Sequence, residues 1–233
     1  MAEINPSDFA DIYAKFDAPI AVFDCGVKCA PYNEYGVPFC CDTSHAIPTA
    51  YMPEWRYLQK NTDLWHTRQG DDLEEAERLR NDLPKGQILI ECLGHNLCQR
   101  SFRSVTCRAF PFFPYITKDN EFIGLSYYWD YEDRCWIISH LETVTHGYVQ
   151  AFVNTYETLF DVIPEDFGNF RYHSIIMRRI FGRQKREIPL LHRDGNHYLV
   201  TPGNGQLDRI DKADLPKFGP YAIADMLPFP DEK

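Results

Sequence analysis

The residues best suited to chemistry in this sequence are eight cysteines, all of which lie between positions 25 and 135. Thiolates are soft donors that bind zinc and the iron of iron–sulfur clusters, and a spacing such as CGVKC lets two sulfurs approach one cation. We therefore predict a metal centre that contains an iron–sulfur cluster or zinc. The predicted ligands are Cys25, Cys29, Cys40, Cys41, Cys92, Cys98, Cys107 and Cys135.

Eight cysteines could instead form four disulfides in a secreted protein, or remain as inert buried thiols. The first residues, MAEINPSDFADIYAKF, carry acidic side chains early and lack the basic and apolar regions of a secretory signal. No run of 18 apolar residues occurs in the chain. We expect a cytoplasmic protein without a membrane span, and reduced thiols in that compartment favour metal ligation over disulfides.

The adjacent pair Cys40 and Cys41 raises the question of how many centres there are. Neighbouring side chains diverge in regular structure, so these two thiols either share one metal on an irregular backbone or serve two centres. Eight thiolates could form two sites of four sulfurs, or one such site with spare ligands.

The complete cysteine pattern resembles the YkgJ-like family of zinc- or iron-chelating proteins. The resemblance lies in an early cysteine group that ends in CC, a later pair at Cys92 and Cys98, and a CR-x-FPF element from Cys107 to Phe112. It implies metal chelation by these cysteines. Flagellin lysine N-methylase carries a similar cluster, so the resemblance admits an enzyme as well as a metal carrier. Two departures are the ten residues between Cys29 and Cys40 and a serine after Arg103, where the family usually has proline.

Composition limits the fold and the partners. A chain of 233 residues with 44% hydrophobic residues and a mean hydropathy of -0.41 is typical of one soluble globular domain. The formal net charge of -10 argues against binding to nucleic acid and to anionic lipid surfaces, while a protein partner or substrate remains open.

Apolar periodicity predicts an α+β fold with a single irregular domain over residues 1–233. A metal-organised cysteine-rich region, at about 20–140, would pack on a helical and hairpin region at about 141–233. The predicted helices follow Ser7 as N-cap, begin at Pro53, and cover residues 71–83, 144–160 and 164–183. The predicted strands are 20–23, 88–90 and 122–129, with an irregular loop at 30–53 and a hairpin at 188–201 that turns near Asp194 and Gly195.

Three further features each have a functional and a structural interpretation. Arg108 could bind a cofactor by donating hydrogen bonds to cluster sulfur or to a substrate anion, or could form a structural ion pair. Histidines beside the cysteines could be ligands, although most histidines are not; these are His45, His95 and His140. Aromatic residues could wall a dry pocket, but core packing is the better interpretation; these are Phe110, Phe112, Phe113, Tyr115, Tyr127, Tyr128, Trp129 and Trp136.

The predicted function is metal binding, used in electron transfer, metal handling or protein modification. One alternative is a cluster-dependent enzyme of the protein-methylase or oxidoreductase type, and another is a structural zinc module for protein interactions. The sequence contains no dinucleotide-binding GxGxxG after a strand, no phosphate-binding P-loop and no HExxH motif, so it gives no positive support to conventional nucleotide or hydrolase chemistry.

Overall fold

The computed structural model describes residues 4–70 and 73–222. Within these ranges the α-helices are α1 (Asp8–Lys15), α2 (Gly26–Cys29), α3 (Met52–Asn61), α4 (Leu73–Asp82), α5 (Val105–Ala109), α6 (His146–Val162) and α7 (Pro164–Gln184). The strands are β1 (Thr49–Tyr51), β2 (Trp65–Thr67), β3 (Gln87–Cys92), β4 (Phe112–Ile116), β5 (Phe122–Tyr127), β6 (Ile188–His192), β7 (His197–Val200) and β8 (Leu207–Ile210). The fold is α+β, as the sequence predicts.

The larger sheet is antiparallel with the order β4-β5-β6-β7-β8. Successive side chains of a strand point to opposite faces, and both faces are buried at β4, β5 and β6, whereas β8 is largely exposed. Phe112 and Leu191 belong to the main core, whereas their neighbours Phe113 and Leu190 belong to a second cluster that includes Phe181 of α7. Helix α6 packs against the main-core face and α7 against the other.

Strands β5 and β6 approach each other closely at Gly124. This glycine has a φ of +156°, and a Cβ atom placed on it would lie 2.3 Å from the carbonyl oxygen of Leu191. Only a residue without a side chain fits there.

The smaller sheet has the order β1-β3-β2 and is also antiparallel. Thr49 of β1 pairs with Leu89, and Trp65 of β2 pairs with Cys92 at the end of β3. The sheet therefore fixes the backbone position of one predicted ligand.

A buried carboxylate joins three elements of the main core. Glu54 of α3 has no exposed surface. Its Oε1 atom accepts hydrogen bonds from the hydroxyl of Tyr13 and from the backbone amide of Val105, both at 2.7 Å. Its Oε2 atom accepts one from the amide of Tyr51 at 3.1 Å. These bonds link α1 and β1 to the start of α5, which carries Cys107.

Most predicted elements are confirmed, including the helices at α1, α3, α6 and α7, the strands β3 and β5, and the hairpin of β6 and β7. Helix α4 confirms the described part of the predicted segment at 71–83; residues 71 and 72 lie outside the described residues. Strands β1, β2, β4 and β8 were not predicted.

Two local predictions are wrong. Residues 20–23 form bends rather than a strand, because Val22 is 88% exposed and the segment pairs with no neighbouring strand among the described residues. Ser7 makes no side-chain cap; instead Asp8 accepts a hydrogen bond from the amide of Asn5. That a metal organises the cysteine-rich half stays a prediction.

No helix in the described part of the chain is both long enough and apolar enough to cross a membrane.

Candidate metal centre

The eight cysteines are free thiols carried by short irregular segments and by the ends of regular elements. Four lie on helices or turns of the first segment, two flank the 3₁₀ turn after β3, one lies in α5, and one precedes a later 3₁₀ turn. In this order they are Cys25, Cys29, Cys40 and Cys41, then Cys92 and Cys98, then Cys107, then Cys135.

The first segment is folded so that its two cysteine pairs approach each other. A Cβ atom placed on Gly26 of α2 would lie 2.9 Å from a side-chain carbon of Pro38, so α2 packs directly on the turn that follows this proline. The backbone amide of Phe39 in that turn donates a hydrogen bond to the Sγ atom of Cys29 at 3.5 Å. Loop packing thus bridges the ten-residue gap between the pairs.

The adjacent cysteines Cys40 and Cys41 lie in the 3₁₀ turn Phe39–Cys41. Phe39 is buried and its ring contacts Tyr131 at a centroid distance of 5.1 Å, so the core anchors the turn. The two Sγ atoms are 3.9 Å apart and share a hydrogen bond. This bond lowers the pKa of Cys41 to about 7 and raises the pKa of Cys40, since one thiol donates to the thiolate of the other.

Four thiols interact electrostatically as one group: Cys41, Cys92, Cys98 and Cys107. Burial is the main cause that raises the pKa of Cys107 to about 12; Arg103 lowers it, and Cys41, Cys98 and Cys92 raise it further. Burial also raises the pKa of Cys92, with further increases from Cys41 and Cys98. Thiolates at short range repel one another, and a bound cation would relieve that repulsion.

The other four thiols form a second neighbourhood, in which Cys29 and Cys135 are buried and Cys40 is exposed. The pKa of Cys135 is raised by burial and then by Cys29 and Cys25. Burial, followed by Cys29, raises the pKa of Cys25 to about 11. Cys40 interacts with Cys135 as well as with Cys107, so it lies between the two groups.

Arg103 is the functional candidate that sequence reasoning missed. Its Nε atom donates a hydrogen bond to the Sγ atom of Cys98 at 3.2 Å. Burial disfavours the charge of the guanidinium, but Cys107 and Cys98 raise the pKa of Arg103 above its usual value. A signal was present in the sequence, because Arg103 lies five residues after one predicted ligand and four before another.

Arg108, the predicted cofactor-binding residue, directs its donors elsewhere. Its side chain is 6% exposed. The guanidinium donates to backbone carbonyl oxygens of Arg103, Phe16 and Ser101 at 2.6 to 2.9 Å, and it forms an ion pair with Asp17 at 3.4 Å. Longer bonds reach the carbonyl oxygens of Tyr13 and Arg100. These contacts occupy the N–H donors of the guanidinium, as expected for a structural role of Arg108.

The described contacts of two of the three candidate histidines involve groups other than thiols. His45 Nδ1 pairs with Asp42 at 3.1 Å. His140 stacks on Trp136 with ring centroids 3.7 Å apart, and its Nδ1 lies 3.0 Å from the carbonyl oxygen of Trp136. His95 begins the 3₁₀ turn between Cys92 and Cys98.

A cavity of about 330 Å³ adjoins the thiols. Cys40 and Cys107 line it, together with Phe110, Phe112 and Tyr128, three members of the predicted aromatic wall. The alternative interpretation of these aromatic residues as a pocket wall therefore has a counterpart in the structure, while Phe113, Tyr115 and Tyr127 are core residues, in line with the preferred interpretation.

Within residues 4–70 and 73–222 no group of three or more His, Cys, Asp or Glu side chains is arranged to hold a metal ion. The thiols interact electrostatically with one another, but they do not converge on a single point. The donor chemistry nevertheless fits a soft metal, because several thiols share one neighbourhood and a guanidinium offsets part of their charge.

Comparisons of the chain with protein-family models, curated proteins and solved structures find no match. The resemblance to the YkgJ-like family therefore stays a prediction from the cysteine motifs.

Proposed function

We propose that this protein binds a thiolate-ligated metal centre, either zinc or an iron–sulfur cluster. Cys41, Cys92, Cys98 and Cys107 would hold it. One observation carries the proposal: these thiols come from three separate chain segments, yet electrostatic interactions link them in one neighbourhood. Thiolates held this close together would repel one another, and a bound soft cation would relieve that repulsion.

The remaining thiols would provide a second set of donors. Cys25, Cys29 and Cys135 interact with one another, and Cys40 reaches both sets. The adjacent cysteines would then serve different centres, with Cys41 in the first set and Cys40 in the second. Two four-sulfur centres use all eight thiols.

The role of the protein chain at such a centre follows from the described contacts. Arg103 donates to Cys98 and offsets thiolate charge. The amide of Phe39 donates to Cys29, and Ser104 accepts from the amide of Cys107, which fixes the start of α5. A bound centre would supply Lewis acidity if it is zinc, or electrons if it is an iron–sulfur cluster.

A cluster-dependent enzyme is the second candidate, and the cavity favours it. A purely structural zinc site is closed on all sides, whereas Cys40 and Cys107 line a cavity large enough for a small ligand. The enzyme would act on that ligand beside the centre. Electron transfer, metal handling and modification of a protein partner are the uses that this arrangement leaves open, in a reducing compartment such as the cytoplasm.

Anaerobic purification followed by metal analysis, acid-labile sulfide analysis and visible absorption tests the proposal. We expect stoichiometric iron with sulfide and a broad visible band, or stoichiometric zinc without colour. Zinc without iron would eliminate the cluster and leave the zinc centre. A metal-free protein after this procedure, with eight free thiols or with disulfides, would overturn the proposal.

A further inference from the structure

The cavity beside the thiols contains polar groups that the proposed metal centre does not use. Besides Cys40 and Cys107, it is lined by the side chains of Asp166 and His173 and by aromatic residues that include Tyr156 and Phe170. Its volume of about 330 Å³ is at the small end of the range for ligand pockets. It therefore suits a ligand of few heavy atoms.

Asp166 is a buried carboxylate for which the described residues provide no ion-pair partner. It is 3% exposed, and none of the ion pairs among the described residues includes it. Its Oδ2 atom accepts a hydrogen bond from the hydroxyl of Tyr51, and its Oδ1 atom accepts one from Asn169 at 3.2 Å. Burial raises the pKa of Asp166, and hydrogen bonds from the neutral side chains of Tyr51, Asn169 and Gln87 lower it. A buried carboxylate costs free energy unless it is paired, and these neutral donors leave its charge uncompensated.

His173 supplies a second unpaired polar atom, which is an acceptor when the ring proton is on Nδ1. Its Nε2 atom is buried without a hydrogen-bond partner. The ring stacks on Trp129 at 4.9 Å and meets the edge of Phe113 at 4.4 Å, so its position is fixed by packing. Burial lowers the pKa of His173 to about 4, which keeps the imidazole neutral at pH 7 and leaves Asp166 without a cationic neighbour there.

We propose that this cavity binds a small primary ammonium ion, with Asp166 as its counter-charge. Aromatic residues that include Tyr156 and Phe170 line the cavity, and aromatic rings are surfaces on which cations bind. A primary ammonium has three N–H donors, which the free lone pairs of Asp166 and Nε2 of His173 can accept. A quaternary ammonium would leave these acceptors unpaired.

This inference rests on the cavity and not on the proposed metal centre. It would nevertheless place the alkyl part of the ligand in the same cavity as two predicted metal ligands, Cys40 and Cys107. Metal content and amine binding are measured separately, so the two proposals can fail independently.

Isothermal titration calorimetry at pH 7.5 with three probes tests the proposal: n-butylammonium chloride, n-butanol and n-butyltrimethylammonium chloride. We expect n-butylammonium to bind at least tenfold more tightly than either of the other two. Asp166→Asn should weaken n-butylammonium binding at least tenfold, because it removes the charge and keeps the shape and an acceptor oxygen. Glu165→Gln is the matched control: it removes one charge from the adjacent exposed residue and should change the affinity less than twofold.

Equal affinities for n-butylammonium and n-butanol would overturn the proposal, as would an unchanged affinity in a folded Asp166→Asn protein. Tighter or equal binding of n-butyltrimethylammonium would overturn the assignment to a primary ammonium. If Asp166→Asn did not fold, the selectivity of the unmodified protein among the three probes would decide by itself.

Discussion

The Nε atom of Arg103 lies 3.2 Å from the Sγ atom of Cys98 and donates a hydrogen bond to it. The same guanidinium interacts electrostatically with Cys107. One cation therefore interacts with a thiol that precedes α5 and with a thiol within α5. A donor to a ligating sulfur orients the ligand and reduces repulsion among thiolates. Arg103 would therefore be part of any centre that these cysteines form.

Replacing Arg103 with glutamine should lower metal affinity about tenfold or more, a magnitude common for groups that support metal ligands. The substitution keeps a hydrogen-bond donor but removes the charge. Metal content after dialysis against a graded chelator series measures the effect. Arg193→Gln is the control, because this arginine is exposed and pairs with Glu157 at the hairpin of β6 and β7. Equal chelator resistance of the two variants would show that Arg103 does not support the centre.

Cysteine substitutions in pairs should separate the two proposed centres. Cys107→Ser and Cys92→Ser each remove a ligand of the same set, so the double variant should lose no more metal than either single variant. Cys107→Ser combined with Cys135→Ser should lose the metal of both sets, because these thiols belong to different groups. Metal stoichiometry per chain gives the result. Additive loss within the first pair would contradict the grouping.

Arg108→Lys should lower stability without lowering the metal content of the folded protein. The lysine cannot replace the bonds to the carbonyl oxygens of Phe16 and Ser101, and it leaves charge and acceptors buried. We expect a loss of about 3 kcal/mol in the free energy of unfolding, measured with urea. Arg171→Lys, at an exposed position, is the control. A stable Arg108→Lys protein that lacks metal would instead show that Arg108 helps to bind the cofactor.

The cysteines could be identified from sequence, but their grouping could not. Spacing suggested that Cys25 and Cys29 act as one pair and left open whether Cys40 and Cys41 share one metal or serve two centres. In the structure Cys40 and Cys41 share a hydrogen bond, and both also interact with thiols of distant segments: Cys40 with Cys107 and Cys135, and Cys41 with Cys107. Contacts between distant segments therefore decide which further sulfurs are neighbours. Local spacing carries no information about such contacts.

The long amphipathic helices were predictable because one apolar face recurs along many residues, as in α6. Short strands such as β1 contain three residues, too few to show a period of two. The error at residues 20–23 has the same origin, since an apolar run such as the one around Val22 forms a strand only where a partner strand is available.

Two glycine substitutions should have opposite effects on stability. Gly124→Ala should destabilise the protein by several kcal/mol, because its Cβ would lie 2.3 Å from the carbonyl oxygen of Leu191 and the backbone there has a positive φ. Gly168→Ala in α7 meets open space and should stabilise by about 0.5–1 kcal/mol through helix propensity. Urea unfolding of both variants provides the measurement. A neutral Gly124→Ala would show that β5 and β6 are not in close contact.

Glu54 should make stability depend on pH. Burial is the main cause that raises the pKa of this carboxyl from 4.5 to about 7, while its hydrogen bonds from Tyr13 and Val105 act in the opposite direction. Because the folded protein holds the proton more tightly than the unfolded chain, this contribution to stability is full below pH 4.5. It is lost as the pH rises through about 7.

The expected loss from this one group is on the order of 3 kcal/mol, since one pKa unit corresponds to about 1.4 kcal/mol. Glu54→Gln removes the titration, so the difference in unfolding free energy between the unmodified protein and this variant should fall by that amount between pH 5 and 8.5. Urea unfolding at each pH measures it, and Glu121→Gln, at an exposed position, gives the baseline. Subtracting the variant also cancels pH effects of other groups that both proteins share. A difference that stays constant over this range would show that the pKa of Glu54 is not raised, and that the three hydrogen bonds it accepts compensate for its burial.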